Sequence, residues 1–313
     1  MKDLAEKVHN GDPRAIARMI TLSENNDPKA FDAMKKIHPH TGKAHIIGVT
    51  GVMGSGKSTL ICELTRIFRR QGKTVGIIAI DPTSPFSGGA LLGDRVRMME
   101  LAMDEGVFIR SMGTRGMLGG LTSAVYDVVE ILDASGKDIV IVETVGVGQA
   151  EVDIIKIADT TLVVVVPGLG DSIQTLKAGV MEIADIYVVN KSDRSGVNQA
   201  VAEIESLVDI TCADKDRKIP IIQTIANQKK GINELIEEIK LHKKYLTESN
   251  IFESQRRMRY QAELVEIIQK RLMNLIFDEE RFKEKIEDLM DKISQKKMDP
   301  YSAADEILNN VIK

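Results

Sequence analysis

Gly51, Gly54, Ser55, Gly56, Lys57, Ser58 and Thr59 stand in one run, Gly-Val-Met-Gly-Ser-Gly-Lys-Ser-Thr. Gly51, four residues and then Gly56-Lys57-Ser58 fit the phosphate-loop pattern at every fixed position. The glycines let backbone N–H groups turn inward around a polyphosphate, and the helix that follows points its positive end at the same anion. Lys57 can reach the outer phosphates, and Ser58 can offer a hydroxyl to Mg²⁺.

A second group, Asn190-Lys191-Ser192-Asp193, follows the apolar run Ile186-Tyr187-Val188-Val189. The Asp193 carboxylate can accept two N–H bonds from guanine, where adenine offers no matching donors. Asn190 would hold the base edge and tie its loop to the phosphate loop, and the Lys191 stem can lie along the purine face. Further on, the Ala226 N–H could reach the guanine carbonyl. The expected nucleotide is therefore GTP or GDP.

Three acids are candidates for magnesium beside Ser58. Asp81 and Glu143 end apolar strands, and Asp94 opens a helical stretch. Mg²⁺ needs few protein oxygens besides phosphate and water. Lys57, Asp94 and Glu143 are the expected catalytic set. Glu143-Thr144-Val145-Gly146 sets an acid three residues before a glycine, as in the Asp-x-x-Gly element of GTPases. The position after that glycine, where Ras-type enzymes carry a water-orienting Gln, is Val147, and Gln149 comes two residues later. Slow unaided hydrolysis is the expectation. The stretches 82–93, 115–120 and 167–172 read as nucleotide-sensitive loops.

These residues need a scaffold that presents strand ends. Candidate strands lie at 45–50, 75–80, 107–110, 138–143, 161–166, 185–190 and 219–224, mostly continuous Val/Ile runs such as buried parallel strands show. Helical patterns lie between most pairs. The reading is an α/β fold: a doubly wound, mostly parallel sheet. Residues 1–42 form an N-terminal helical segment, 43–245 the nucleotide-binding domain and 246–313 a C-terminal helical extension. In that extension Leu264, Ile267, Ile268, Leu272, Leu275 and Ile276 mark an apolar stripe that needs a partner surface.

Composition narrows the classes. The chain has 313 residues, a net charge of −4 and two cysteines. That balance argues against bulk nucleic-acid binding, and the lone Cys62 and Cys212 against a disulfide framework. The run Leu162 to Val166 is too short to span a bilayer, so a cytoplasmic protein without a membrane partner is expected. His38, His40 and His45 suggest a metal, but His-Pro-His is also good loop composition.

Taken together, the motifs resemble the MeaB-type (ArgK-like) GTPases, partners of adenosylcobalamin-dependent methylmalonyl-CoA mutase. Besides the two nucleotide motifs, the resemblance rests on Gly88-Gly89-Ala90-Leu91-Leu92-Gly93-Asp94-Arg95, Glu143-Thr144-Val145-Gly146-Val147-Gly148-Gln149, and Pro167-Gly168-Leu169-Gly170-Asp171 with Gln174 and Lys177. It covers nearly the whole chain. It implies Asp81, Asp94 and Glu143 around magnesium, Gln149 and a switch near Asp171, Gln174 and Lys177, and a homodimer formed mainly by the C-terminal helices. The role it implies is gating adenosylcobalamin delivery to an acyl-CoA mutase and protecting or reactivating that enzyme. Met53 stands where this family usually has Pro. The alternatives are a GTPase of nickel-centre assembly, a kinase built on the same loop, and a signal-recognition-type targeting GTPase.

Overall fold

The computed structural model describes residues 2–81, 98, 100–113, 123–144, 146, 153–168, 183–211, 217–278 and 280–311. The N-terminal segment forms α1 (Lys2–His9), α2 (Pro13–Glu24) and α3 (Pro28–Ile37). Aspartates start the second and third. Asp12 accepts from the N–H groups of Arg14 and Ala15 at 2.8 and 2.9 Å, and Asp27 from that of Lys29 at 2.9 Å. A proline follows each aspartate, where the missing N–H costs nothing.

Seven strands follow: β1 (His45–Thr50), β2 (Val75–Asp81), β3 (Val107–Gly113), β4 (Ile139–Glu143), β5 (Thr160–Val165), β6 (Ile186–Asn190) and β7 (Ile221–Thr224). They form one sheet in the order β3-β2-β4-β1-β5-β6-β7. Every described pairing in it is parallel. β1, β4, β5 and β6 are buried at every residue, which is why their sequences are unbroken apolar runs.

Seven further helices complete the described chain: α4 (Lys57–Arg70), α5 (Ser123–Ala134), α6 (Val197–Thr211), α7 (Ile232–Glu248), α8 (Ile251–Asp278), α9 (Glu280–Ser294) and α10 (Pro300–Val311). Strand alternation sends successive side chains to opposite faces. Ile46 packs with α5 and the N-terminal helices through Ile16, Met19, Ile20, Val128 and Leu132. Ile47 and Val49 pack on the other face with Leu60, Ile61 and Leu64 of α4 and Leu235, Ile236 and Ile239 of α7. Ile204 and Val208 of α6 cover Val163, Tyr187 and Val189.

The chain divides into two compact units, up to Arg259 and from Tyr260 onward. The first holds the sheet, α1 to α7 and the opening of α8. In the second, α9 and α10 bury Leu289 and Ala303, and Lys285 pairs with Glu306 at 3.0 Å. On α8, Leu264, Ile268, Leu272 and Leu275 are exposed, and Ile276 is buried. Among the described residues no helix is long and apolar enough to cross a membrane.

Candidate nucleotide site

After β1 the chain goes one way to β2, and after β4 it returns across β1 to β5. Parallel sheets open their ligand crevice at such a reversal, beyond the carboxyl ends of the strands. The turn 51–56 leaves β1 at this point and runs into α4. Gly56, at φ 92°, caps α4, and a Cβ there would come 2.5 Å from Asn190 Nδ2. Only glycine lets the loop and Asn190 meet.

The loop holds itself closed with its own lysine. Lys57 Nζ donates to the carbonyl oxygens of Gly51 at 2.7 Å and Val52 at 3.2 Å. Lys57 and Ser58 are both buried, and the Ser58 hydroxyl donates to Glu143 Oε1 at 2.7 Å. Glu143 reaches this place because β4 lies beside β1, with Glu143 level with Val49. The next residue, Thr144, donates its hydroxyl to Thr50 Oγ1 at 2.9 Å and its N–H to Val49 O at 3.1 Å. Gly146, at φ 95°, presses on the loop from the other side. A Cβ on it would lie 2.6 Å from Gly51 O, 2.7 Å from Met53 N and 2.8 Å from Lys57 Nζ.

Asn190 ends β6 and joins three loops. Its Nδ2 donates to Ser55 O at 2.8 Å, and its Oδ1 accepts from the Thr224 hydroxyl at 3.1 Å and the Ala226 N–H at 3.2 Å. Lys191, in the left-handed region at φ 57°, turns back so that its Nζ donates to Gly54 O at 2.8 Å. Asp193 is exposed at the tip of the same turn.

The phosphate loop, Glu143, Asn190, Lys191 and Ala226 therefore converge. Asp81 ends β2 two residues beyond Ala79, which is level with Glu143. Its side chain lies outside the described residues, as do Asp94, Val147, Gln149, Asp171, Gln174, Lys177 and Cys212. Thr224 and the Thr50–Thr144 pair have no role in the sequence reading, because a threonine at a strand end carries no signal of its own. The three histidines go separate ways. His38 pairs with Glu130 at 2.8 Å, the His40 ring lies tilted against that of His9 with ring centres 4.2 Å apart, and His45 is buried against Thr160. Among the described residues no three His, Cys, Asp or Glu side chains are grouped to hold a metal.

A family model described as methylmalonyl Co-A mutase-associated GTPase MeaB matches residues 16–281. The chain belongs to this family. A candidate GTPase of Pyrococcus horikoshii is 51% identical over 99% of this chain and 98% of its own length. The GTPase ArgK of Escherichia coli is 34% identical over 88% of this chain and 86% of its own. The crystal structure of a LAO/AO transport system kinase shares the fold, with a TM-score of 0.72 at 24% identity over 100% of this chain and 97% of that one. As a MeaB-family P-loop GTPase, the chain binds and hydrolyses GTP.

Proposed function

We propose that this MeaB-family GTPase gates the loading of adenosylcobalamin into an acyl-CoA mutase, methylmalonyl-CoA mutase foremost, and protects or reactivates that enzyme. The family's description, which names the mutase, supports the partner. The guanine reading rests on one observation, the Asn190 side chain bonded at once to Ser55, Thr224 and Ala226. In this reading Asp193 accepts from the guanine edge, Lys191 lies along the base, and backbone N–H groups of 54–59 surround the phosphates.

The Ser58 hydroxyl and Glu143 carboxylate are hard oxygen donors 2.7 Å apart in a buried place, a donor set that fits Mg²⁺. Asp81 and Asp94 complete the proposed ligands. Bound there, the ion would neutralise charge on the outer phosphates. Lys57 moves its ammonium from the loop carbonyls toward the phosphates. With Val147 in place of a water-orienting Gln, unaided hydrolysis is slow, and the mutase speeds it through Gln149 and the segment of Asp171, Gln174 and Lys177.

Residues 43–245 carry nucleotide binding, and 246–313 carry dimerisation. The exposed apolar positions Leu264, Ile268, Leu272 and Leu275 support a second copy of the chain as the cover of that helix. The test is capture of purified methylmalonyl-CoA mutase on the immobilised chain with GDP and with GTP, followed by hydrolysis rates with and without the mutase. Nucleotide-dependent capture and a faster rate are expected. Failure to capture the mutase, with an unchanged rate, overturns the proposal.

A further inference from the structure

The end of β1 opposite the phosphate loop is held by groups that the nucleotide chemistry does not use. Asp159, fully buried ahead of β5, exchanges two bonds with Ile46. Its Oδ2 accepts the Ile46 N–H at 2.8 Å, and its own N–H donates to Ile46 O at 2.8 Å. Two arginines from the opening turns of α8 close over this carboxylate. Arg259 bonds Asp159 Oδ1, and Arg256 lies 3.7 Å from Oδ2. Arg256 also donates to Gly42 O and, at 3.0 Å, to Ala44 O, with its guanidinium 4.0 Å above the Phe252 ring. Beside this clamp runs a buried row: His45 Nε2 meets Thr160 Oγ1 at 2.8 Å, and Thr160 Oγ1 meets His242 Nδ1 at 2.8 Å.

The arginine bonds tie α8 to the start of β1 and to Asp159 ahead of β5, and the His242 bond ties α7 to Thr160 of β5. β1 is six residues long, with the clamp at Ala44 to Ile46 and the phosphate loop starting at Gly51. α7 holds His242 in its second half. Its start follows the turn whose Ala226 N–H is bonded to Asn190. A buried carboxylate under two guanidiniums is a poor source of net stability compared with apolar packing, but it is selective for one register, because losing a partner leaves an uncompensated charge.

We infer that the Arg256–Asp159–Arg259 clamp is the joint through which the nucleotide site and α8 sense each other. A shift of the β1 end or of α7 on nucleotide binding alters the clamp, and a partner acting on α8 alters nucleotide affinity by the same factor, as linkage requires. The inference rests on the reading of 51–59 and 190–193 as the GTP site.

The test is amide hydrogen exchange on the full chain, free, with GDP and with a non-hydrolysable GTP analogue, beside nucleotide affinities from a fluorescent analogue. Exchange in 251–259 should slow at least about tenfold when nucleotide binds. In the R256Q/R259Q variant that response should vanish, and nucleotide affinity should fall about three- to tenfold although no altered residue touches the site. Arg259→Lys, which keeps the charge but not the fork, should be intermediate. Nucleotide that binds the natural chain without changing exchange in 251–259 overturns the joint, as does a folded double variant that keeps the response. Failure of the natural chain to bind guanine nucleotide would instead overturn the site assignment. A misfolded double variant leaves the natural chain's exchange to decide.

Discussion

Asn190 Nδ2 donates to Ser55 O at 2.8 Å, joining residues 135 positions apart in sequence. This one bond fixes the distance between the turn 190–193 and the loop 51–56. Asn190 is almost fully buried, and its other amide end is satisfied as well.

Asn190→Ala leaves Ser55 O, the Thr224 hydroxyl and the Ala226 N–H without this partner. One buried group left unpaired costs about 1–3 kcal/mol. GTP and GDP affinity should fall together by at least about tenfold. Isothermal titration with both nucleotides checks this, and an unchanged affinity would mean that the two loops hold their spacing without Asn190.

Glu143→Gln keeps the shape beside Ser58 and removes the charge. If Glu143 helps hold Mg²⁺, the magnesium concentration for half-maximal hydrolysis should rise roughly 10–100-fold. GDP affinity measured without magnesium should change much less. Titrating the ion at saturating GTP separates the two effects.

Gly146→Ala places a methyl group against Gly51 O and Met53 N, both backbone atoms that cannot turn away. The residue would also have to keep φ 95°, where a side chain costs about 1–2 kcal/mol. Hydrolysis should drop at least about tenfold with only a modest loss of thermal stability. Turnover equal to that of the natural chain would show that Gly146 does not need to press on the loop.

Acid should destabilise the chain through two histidines. Burial is the main cause that pushes His45 down to about 4, and burial is likewise the main cause holding His242 down at about 3. The His242–Asp185 approach of 3.4 Å is therefore a contact of a neutral ring and not an ion pair near neutral pH. Because both values lie below the ordinary 6.5, the unfolded chain binds protons that the folded chain refuses. Stability is flat above about pH 6.5 and falls as pH drops toward 4, with His45 alone contributing at most about 3 kcal/mol of that loss. Urea unfolding at pH 7.5, 6.5 and 5.5 should show the decline, and His242→Gln should make it shallower.

Much of this was legible in the residues. Strands such as 45–50 and 185–190 announce themselves because both their faces are buried, and the phosphate loop and Asn190-Lys191-Ser192-Asp193 turn carry fixed spacings. Other features were not legible, because they depend on who lies beside whom. Nothing in Thr224 says that its hydroxyl meets Asn190, and nothing in Arg256 or Arg259 says that they close over Asp159, about a hundred residues earlier. His45 suggested a metal by its company in sequence, but its partner is a threonine on another strand. The two edge strands differ in extent from the expectation. β3 runs on to Gly113, because β2 pairs with it as far as Asp81, and β7 begins at Ile221, where pairing with Tyr187 starts.

The place of β1 in the middle of the sheet has a consequence for synthesis. β1 leaves the ribosome early, but its neighbours β4 and β5 are made about a hundred residues later, and Asn190 later still. At about 5–20 residues per second, roughly 7 to 27 seconds separate the phosphate loop from Asn190, 135 residues later, which braces it. Until β4 is made, the nascent chain carries an apolar strand without either of its sheet neighbours. It needs shelter before it can bind its nucleotide.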